Sequence, residues 1–75
     1  MEHKKQIKLN ADSAIEFVAA AEKCDFDIDV FYNSIVIDAK SIIGVLSMDL
    51  SNVLTVRYGE MDEVFEKVLQ KYCVG

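Results

Sequence analysis

The sequence lacks several features that would assign it to a class of protein at once. It has no proline and a single histidine among its 75 residues. No stretch approaches the roughly 18 uncharged residues of a membrane-spanning helix. The first residues, Met1 to Lys5, lead directly into a strand-like segment, so they predict no signal peptide. We therefore expect a cytoplasmic protein without a membrane partner.

Cysteine and basic residues are also scarce. Cys24 and Cys73 are far apart, and no Cys-x-x-Cys spacing is present, so we expect free thiols rather than a disulfide or a metal site. The formal net charge is −5, and Lys4, Lys5 and Lys8 form the only basic cluster. Because nucleic-acid phosphates are bound by clustered lysine and arginine, no nucleic-acid partner is expected.

The sequence does contain alternating strand and helix patterns, within one domain covering residues 1–75. Strand patterns, in which polar and apolar residues alternate, cover residues 4–9, 25–32, 35–38 and 53–58. Helical spacing of apolar residues covers residues 13–24, 41–48 and 60–72. The predicted order is therefore β-α-β-β-α-β-α, an α+β fold. One sheet with helices on one face is the simplest two-layer packing that buries every apolar stripe.

Local signals predict where the helices and one turn begin. Ser13 and Glu16 have the spacing of a capping box, which places the start of the first helix at Ser13. Glu60 opens the last helix, and Asn33-Ser34 is expected to form a tight turn between the second and third strands.

Some residues have a chemical interpretation that we weigh against a structural one. His3 could accept a phosphoryl group, but nothing orients a terminal imidazole, so we favour a solvated side chain. Cys24 could be a nucleophile, but it lies on an apolar stripe, so we favour a structural cysteine. Asp25, Asp27 and Asp29 could bind a hard cation, but a solvated strand face explains their spacing without a metal.

The most distinctive segment is Ser41-Ile42-Ile43-Gly44-Val45-Leu46-Ser47. So short a helix must be held by packing, yet it has more apolar side chains than one buried stripe needs. We therefore expect some of these apolar side chains to face outward as a small docking patch. Ser41 would then be an N-cap that a kinase can phosphorylate. The alternative is an ordinary N-cap on a tightly packed core helix.

This serine segment resembles that of HPr, the small histidine phosphocarrier of the bacterial phosphoenolpyruvate-dependent sugar phosphotransferase system. Residues 29–41, with the Tyr32-Asn33 turn, and residues 11–15 also resemble the family, so the likeness covers nearly the whole chain. It implies an open-faced β-sandwich with strand order 1-4-2-3 and three helices on one face. Arg57 on strand four would then lie beside the aspartates of strand two.

The resemblance also implies a function for the serine segment. In Gram-positive members, an ATP-dependent kinase phosphorylates a serine at the position of Ser41, and residues matching Ile42, Ile43 and Leu46 form a protein-docking patch. The partners implied are enzyme I, enzyme IIA domains, HPr kinase or a catabolite-control regulator.

At the family's active site the resemblance fails. The family has Gly-x-His-x-Arg-Pro-Ala, whereas here Ile15 is followed directly by Glu16, Phe17 and Val18, and the first helix looks shorter. The carboxylate of Glu16 would repel a phosphoryl group. We therefore expect neither a catalytic residue nor a cofactor, and a regulatory or accessory binding protein rather than an enzyme. The alternatives are a phosphocarrier with an unconventional acceptor, and a module for ligand binding or oligomerisation that keeps only the scaffold.

Overall fold

The structure, a computed structural model, describes residues 2–74. Its elements are β1 (His3–Ile7), α1 (Ala11–Glu22), β2 (Ile28–Tyr32), β3 (Ile35–Asp38), α2 (Ile42–Leu46), β4 (Leu54–Tyr58) and α3 (Glu63–Tyr72). This sequence of elements confirms the predicted order. None of the helices found in residues 2–74 has the length and hydrophobicity needed to cross a membrane.

The strands form one antiparallel sheet in the order β1-β4-β2-β3, as the family resemblance implied. In the central register, Val56 of β4 lies between Lys5 of β1 and Val30 of β2. Because side chains alternate along a strand, one face of the sheet carries the apolar residues and meets the helices. The result is the predicted α+β open-faced sandwich with three helices on one face.

The core lies between this face of the sheet and the helices. Three aromatic rings occupy its centre: Phe65 lies 5.8 Å from Phe17 and 5.5 Å from Tyr58 between ring centroids, and the Tyr58 ring meets Phe65 edge-on. All three side chains are at most 2% exposed. Edge-on aromatic pairs of this kind add to the stabilisation from buried area, so these rings join β4, α1 and α3 into one core.

Two helices begin at residues other than those predicted. Helix α1 is capped by Asn10, whose Oδ1 accepts the Ser13 N–H at 2.8 Å, while Ser13 Oγ accepts the Asn10 N–H at 2.8 Å. Ser13 therefore belongs to a capping box, but it is the third residue of α1, and Asn10 is the N-cap. Helix α3 is capped by Asp62, and the prediction that Glu60 opens it was wrong. Asparagine and aspartate are as effective as serine at an N-cap position. Asn10 precedes Ser13 along the chain, so it is the residue that caps α1.

The second strand is shorter than predicted. It begins at Ile28, which pairs with Tyr58, the last residue of β4. A strand extends only as far as its partner, so Asp25 and Asp27 lie outside the sheet and do not share a strand face with Asp29. The predicted tight turn is confirmed at Asn33, whose φ of 54° is tolerated by asparagine.

The residues after α3 return to the sheet. The Lys8 N–H donates to the Tyr72 carbonyl at 3.0 Å, and the Val74 N–H donates to the Gln6 carbonyl at 2.8 Å. Between these bonds, Cys73 forms an isolated antiparallel bridge with Ile7. The end of β1 is therefore paired on both of its sides.

Candidate functional site

The hydroxyl of Ser41 starts α2. Ser41 has an extended backbone, with φ −100° and ψ 106°, and its Oγ accepts the Gly44 N–H at 3.1 Å. The predicted N-cap is confirmed, and the Ser41 side chain is exposed. A hydroxyl group therefore stands at the surface beside the apolar side chains of α2.

Helix α2 is held in place by contacts at its start and on its inner side. The Ser41 N–H donates to the Asp38 carbonyl at 3.0 Å, and Lys40 Nζ donates to the Cys24 carbonyl at 2.8 Å. Val45 is fully buried. A Cβ on Gly44 would lie 2.7 Å from Ile37 Cγ2, so α2 approaches β3 more closely than a larger residue allows. The packing that a five-residue helix requires is present.

The outer side of α2 carries the predicted docking residues, and they differ in exposure. Ile43 is 81% exposed and Leu46 is 43% exposed, whereas Ile42 is half-buried and packs against the core. We call these three residues the α2 patch. Ile43 and Leu46 provide most of its accessible apolar surface, and Ile42 contributes mainly to stability.

The start of α1, where the resemblance predicted a lost active site, borders an open hollow of about 580 Å³. Its lining residues are Lys8, Leu9, Asn10, Asp12, Ser13, Glu16 and Tyr72. Asn10 and Ser13 are engaged with each other's backbone N–H groups. One of the N–H groups at this helix start is therefore already satisfied by a side chain of the protein itself.

The carboxylate of Glu16 joins α1 to the end of α3. Lys71 Nζ donates to Glu16 Oε2 at 2.5 Å, and the Tyr72 hydroxyl donates to Glu16 Oε1. The Lys71 ammonium, followed by the Tyr72 hydroxyl, lowers the pKa of Glu16. The same carboxylate raises the pKa of Lys71 and of Tyr72. An anionic group of the protein thus lies at the hollow, with its charge partly offset by Lys71.

Comparison with solved structures identifies the fold family. The chain resembles the crystal structure of HPr-C-His from Thermoanaerobacter tengcongensis, with 31% identity, a TM-score of 0.68, and 95% of this chain aligned to 88% of that one. The chain belongs to the HPr family. It also resembles a phosphocarrier protein HPr from Bacillus anthracis str. Ames, with 25% identity, a TM-score of 0.65, and 95% of this chain aligned to 89% of that one. No family model matches the sequence, and no curated protein matches it significantly.

The only histidine of this HPr-like chain lies away from the α1 start. His3 is the first residue of β1, not a residue before the strand, and its ring lies 5.3 Å from the Tyr58 ring. It therefore has a neighbour that orients it, contrary to our expectation. Residues 3 to 7 of β1 span about 13 Å at about 3.3 Å per residue, and His3 is at the end remote from α1.

Cys24 and Asp29, two residues with a possible chemical role, each make a contact within the HPr-like fold. Cys24 is buried, its Sγ donates to the Ala20 carbonyl at 3.6 Å, and burial raises the pKa of its thiol. Asp29 accepts from Arg57 Nη2 at 3.2 Å, which confirms the expected neighbour for Asp29 alone, since Asp25 and Asp27 lie outside β2. Among residues 2–74, no group of three potential ligands is arranged to hold a metal ion.

Sequence reasoning missed three residues of the α1 site: Asn10, Lys71 and Tyr72. Asn10 immediately precedes a helical pattern, so its capping role could have been found from residue type alone. Lys71 and Tyr72 are 55 and 56 residues away from Glu16 along the chain. The spacing of residues within one helix gives no indication of a contact with Glu16 across so long a separation.

Proposed function

We propose that this HPr-like protein is a non-catalytic regulatory or accessory member of the sugar phosphotransferase system. It acts in the cytoplasm by binding a protein that recognises HPr, and the α2 patch is its contact surface. The observation that carries this proposal is the 81% exposure of Ile43, next to Leu46, on a helix whose other side is packed into the core. An apolar group this exposed on a small domain favours a protein partner.

The start of α1 supports the absence of phosphotransfer. Residues 10–18 contain no histidine, arginine or proline. The carboxylate of Glu16 lies at the hollow and is hydrogen-bonded to Lys71 and Tyr72. A phosphoryl group entering the hollow would meet this negative charge, and no imidazole in residues 10–18 could accept it.

Ser41 is proposed as the regulatory residue. Its hydroxyl is exposed and borders the α2 patch, so phosphorylation would add close to two negative charges beside Ile43 and Leu46. Such a charge changes which partners can bind without unfolding the helix. Candidate partners are enzyme I, enzyme IIA domains, HPr kinase and a catabolite-control regulator.

Phosphotransfer is tested by incubating the protein with phosphoenolpyruvate and enzyme I and then measuring its intact mass. The expected result is an unchanged mass, with a conventional HPr in the same reaction gaining one phosphate. An acid-labile phosphate on this protein would contradict the proposal and support the alternative, a phosphocarrier with an unconventional acceptor. His3→Gln would then test the one histidine.

The regulatory serine is tested with HPr kinase and ATP. We expect one acid-stable phosphate, which Ser41→Ala abolishes and Ser47→Ala retains. Ser47 is the matched control because it is an exposed serine at the other end of α2. An unmodified wild-type protein, in a reaction that modifies HPr itself, would remove the regulatory part of the proposal.

Docking is tested by measuring the affinity for each candidate partner after Ile43→Glu or Leu46→Glu. We expect at least a tenfold loss, about 1.4 kcal/mol, for the partner that binds. Val64→Glu is the control, because Val64 is 60% exposed on α3 and the charge change is the same. An equal loss from Val64→Glu, or no affinity for any candidate partner, would refute docking through the α2 patch.

A further inference from the structure

The two edges of the sheet are protected very differently. Strand β1 forms one edge and β3 forms the other. The β1 edge carries Lys4 and Lys5, and the returning chain at Cys73 pairs with its far end. Strand β3 reads Ile35-Val36-Ile37-Asp38, without a lysine, a proline or a bulge. An edge strand without such protection is a template for pairing with another strand.

The hydrogen bonding of β3 shows which of its backbone groups face outward. The Ala39 N–H donates to the Ile28 carbonyl at 2.9 Å, so this pair is hydrogen-bonded and the bonded pairs alternate from there. Phe31 and Val36 are therefore a non-bonded pair in the β2–β3 register. The N–H and C=O of Val36 point away from β2. Among residues 2–74, no segment pairs with β3 on that side.

The side chains of this edge are apolar and exposed. Ile35 is 53% exposed and Val36 is 54% exposed. Residues 33–37 carry no charge, and Asp38 is the only charged residue of β3. In a chain with a net charge of −5, an uncharged stretch of this kind is what a second copy can approach without strong repulsion.

We propose that β3 pairs antiparallel with β3 of a second copy, which gives a two-fold symmetric dimer with a continuous sheet. The two-fold axis passes between the Val36 residues, and each Val36 N–H donates to the other Val36 carbonyl. Ile35 then lies opposite Ile37 of the second copy, and Ser34 lies opposite Asp38. This register keeps the two Asp38 carboxylates apart, and it satisfies the outward-facing groups of Val36 reciprocally.

The contact is small, because β3 has only four residues. Interfaces below about 1,200 Å² of total buried area belong to weak or transient complexes. The dimer is therefore concentration-dependent and exchanges with the monomer. Its contact surface is the strand edge and not the α2 patch, so it is a separate interaction from the proposed partner docking.

Sedimentation analysis over a roughly hundredfold range of concentration tests the dimer by mass action. The average mass is expected to rise from 8.4 kDa toward twice that value. Val36→Lys is expected to weaken association at least tenfold, whereas Val64→Lys, which adds the same charge to an exposed valine on α3, leaves it unchanged. A mass of 8.4 kDa throughout, or equal effects of the two variants, would overturn the proposal. If Ile43→Lys abolished association while the Val36→Lys variant still associated, the contact would lie on α2 instead.

Disulfide trapping tests the register and does not require Val36→Lys to fold. In the proposed register the two Val36 Cα atoms are about 5.5 Å apart, inside the range of roughly 4.4–6.8 Å that a disulfide spans. Val36→Cys in a Cys73→Ser background should form a covalent dimer under mild oxidation. Val64→Cys in the same background is the control. Equal yields from the two variants would exclude this pairing.

Discussion

Glu16 on α1 and Lys71 on α3 form an ion pair, in which Glu16 Oε2 and Lys71 Nζ are 2.5 Å apart. The Tyr72 hydroxyl donates a hydrogen bond to the other carboxylate oxygen, Glu16 Oε1. These contacts hold the end of α3 against α1, beside the hollow at the start of α1. The charge of Glu16 therefore joins two helices at the edge of the hollow.

Glu16 is expected to make the protein sensitive to acid. The folded state lowers the pKa of Glu16 from 4.5, mainly through the Lys71 hydrogen bond. The stability that Glu16 contributes is therefore present above pH 4.5 and is lost as the pH falls through the folded-state pKa. Thermal unfolding of Glu16→Gln should show a lower Tm than wild type at pH 7 and a smaller loss of Tm on acidification.

Glu22→Gln is the matched control for Glu16→Gln, since it makes the same charge change on an exposed residue of α1. It should leave the acid dependence of Tm unchanged. If Glu16→Gln and wild type lose Tm in parallel below pH 4.5, the ion pair does not contribute to stability.

Gly44→Ala is expected to destabilise the protein. The new Cβ would lie 2.7 Å from Ile37 Cγ2 and 3.1 Å from Ser41 Oγ, so α2 must move away from β3. Overpacking costs about 1–3 kcal/mol, and the better helix propensity of alanine returns up to about 1 kcal/mol. With the full propensity gain subtracted, we expect a net loss of up to about 2 kcal/mol in chemical denaturation.

A double-mutant cycle isolates the cause of the Gly44→Ala effect. Ile37→Ala removes the Cγ2 atom that the new Cβ would meet. In that background Gly44→Ala should cost clearly less than in wild type. Equal costs in both backgrounds would show that the contact with Ile37 is not responsible.

Tyr58→Phe is expected to change stability by less than about 1 kcal/mol at neutral pH. Among the described residues, the buried Tyr58 hydroxyl and the buried Glu66 Oε2 have no well-formed hydrogen-bond partner. Burial, with a smaller contribution from Glu66, nevertheless raises the pKa of Tyr58. The two groups therefore interact electrostatically without a hydrogen bond between the Tyr58 hydroxyl and Glu66 Oε2.

At alkaline pH, the Tyr58→Phe variant should be more resistant than wild type. A raised folded-state pKa contributes stability that is present below the usual value of 10.0 and is lost as the pH rises above it. Phenylalanine removes this dependence. Tyr32→Phe, at a tyrosine that is 37% exposed, should behave like wild type. A loss above about 2 kcal/mol for Tyr58→Phe at pH 7 would show a strong hydrogen bond.

The two cysteines should react with a thiol reagent at very different rates. Cys73 is exposed, whereas Cys24 is 5% exposed and burial raises its pKa. In the native protein Cys24 should react roughly 100-fold more slowly than Cys73, and both should react at once in denaturant. Cys73→Ser should remove the fast phase. A fast phase that persists in this variant would mean that Cys24 is accessible.

The amino-acid sequence determined the type and order of the elements, because each is set by side-chain spacing along a few adjacent residues. The alternation in Leu54, Val56 and Tyr58 and the helical spacing of Phe65 and Leu69 predicted side chains that are buried in the structure. The strand order came from the family resemblance carried by the serine segment, and the N-cap role of Ser41 followed from its residue type.

Tertiary structure alone decided the partners of Glu16, the start of β2 and the different exposures of Ile42 and Ile43. Each depends on which distant segment meets the residue: Lys71 comes from α3, Ile28 pairs with the last residue of β4, and the core covers Ile42. Local spacing contains no information about such contacts, because they form only when the helices pack on the sheet.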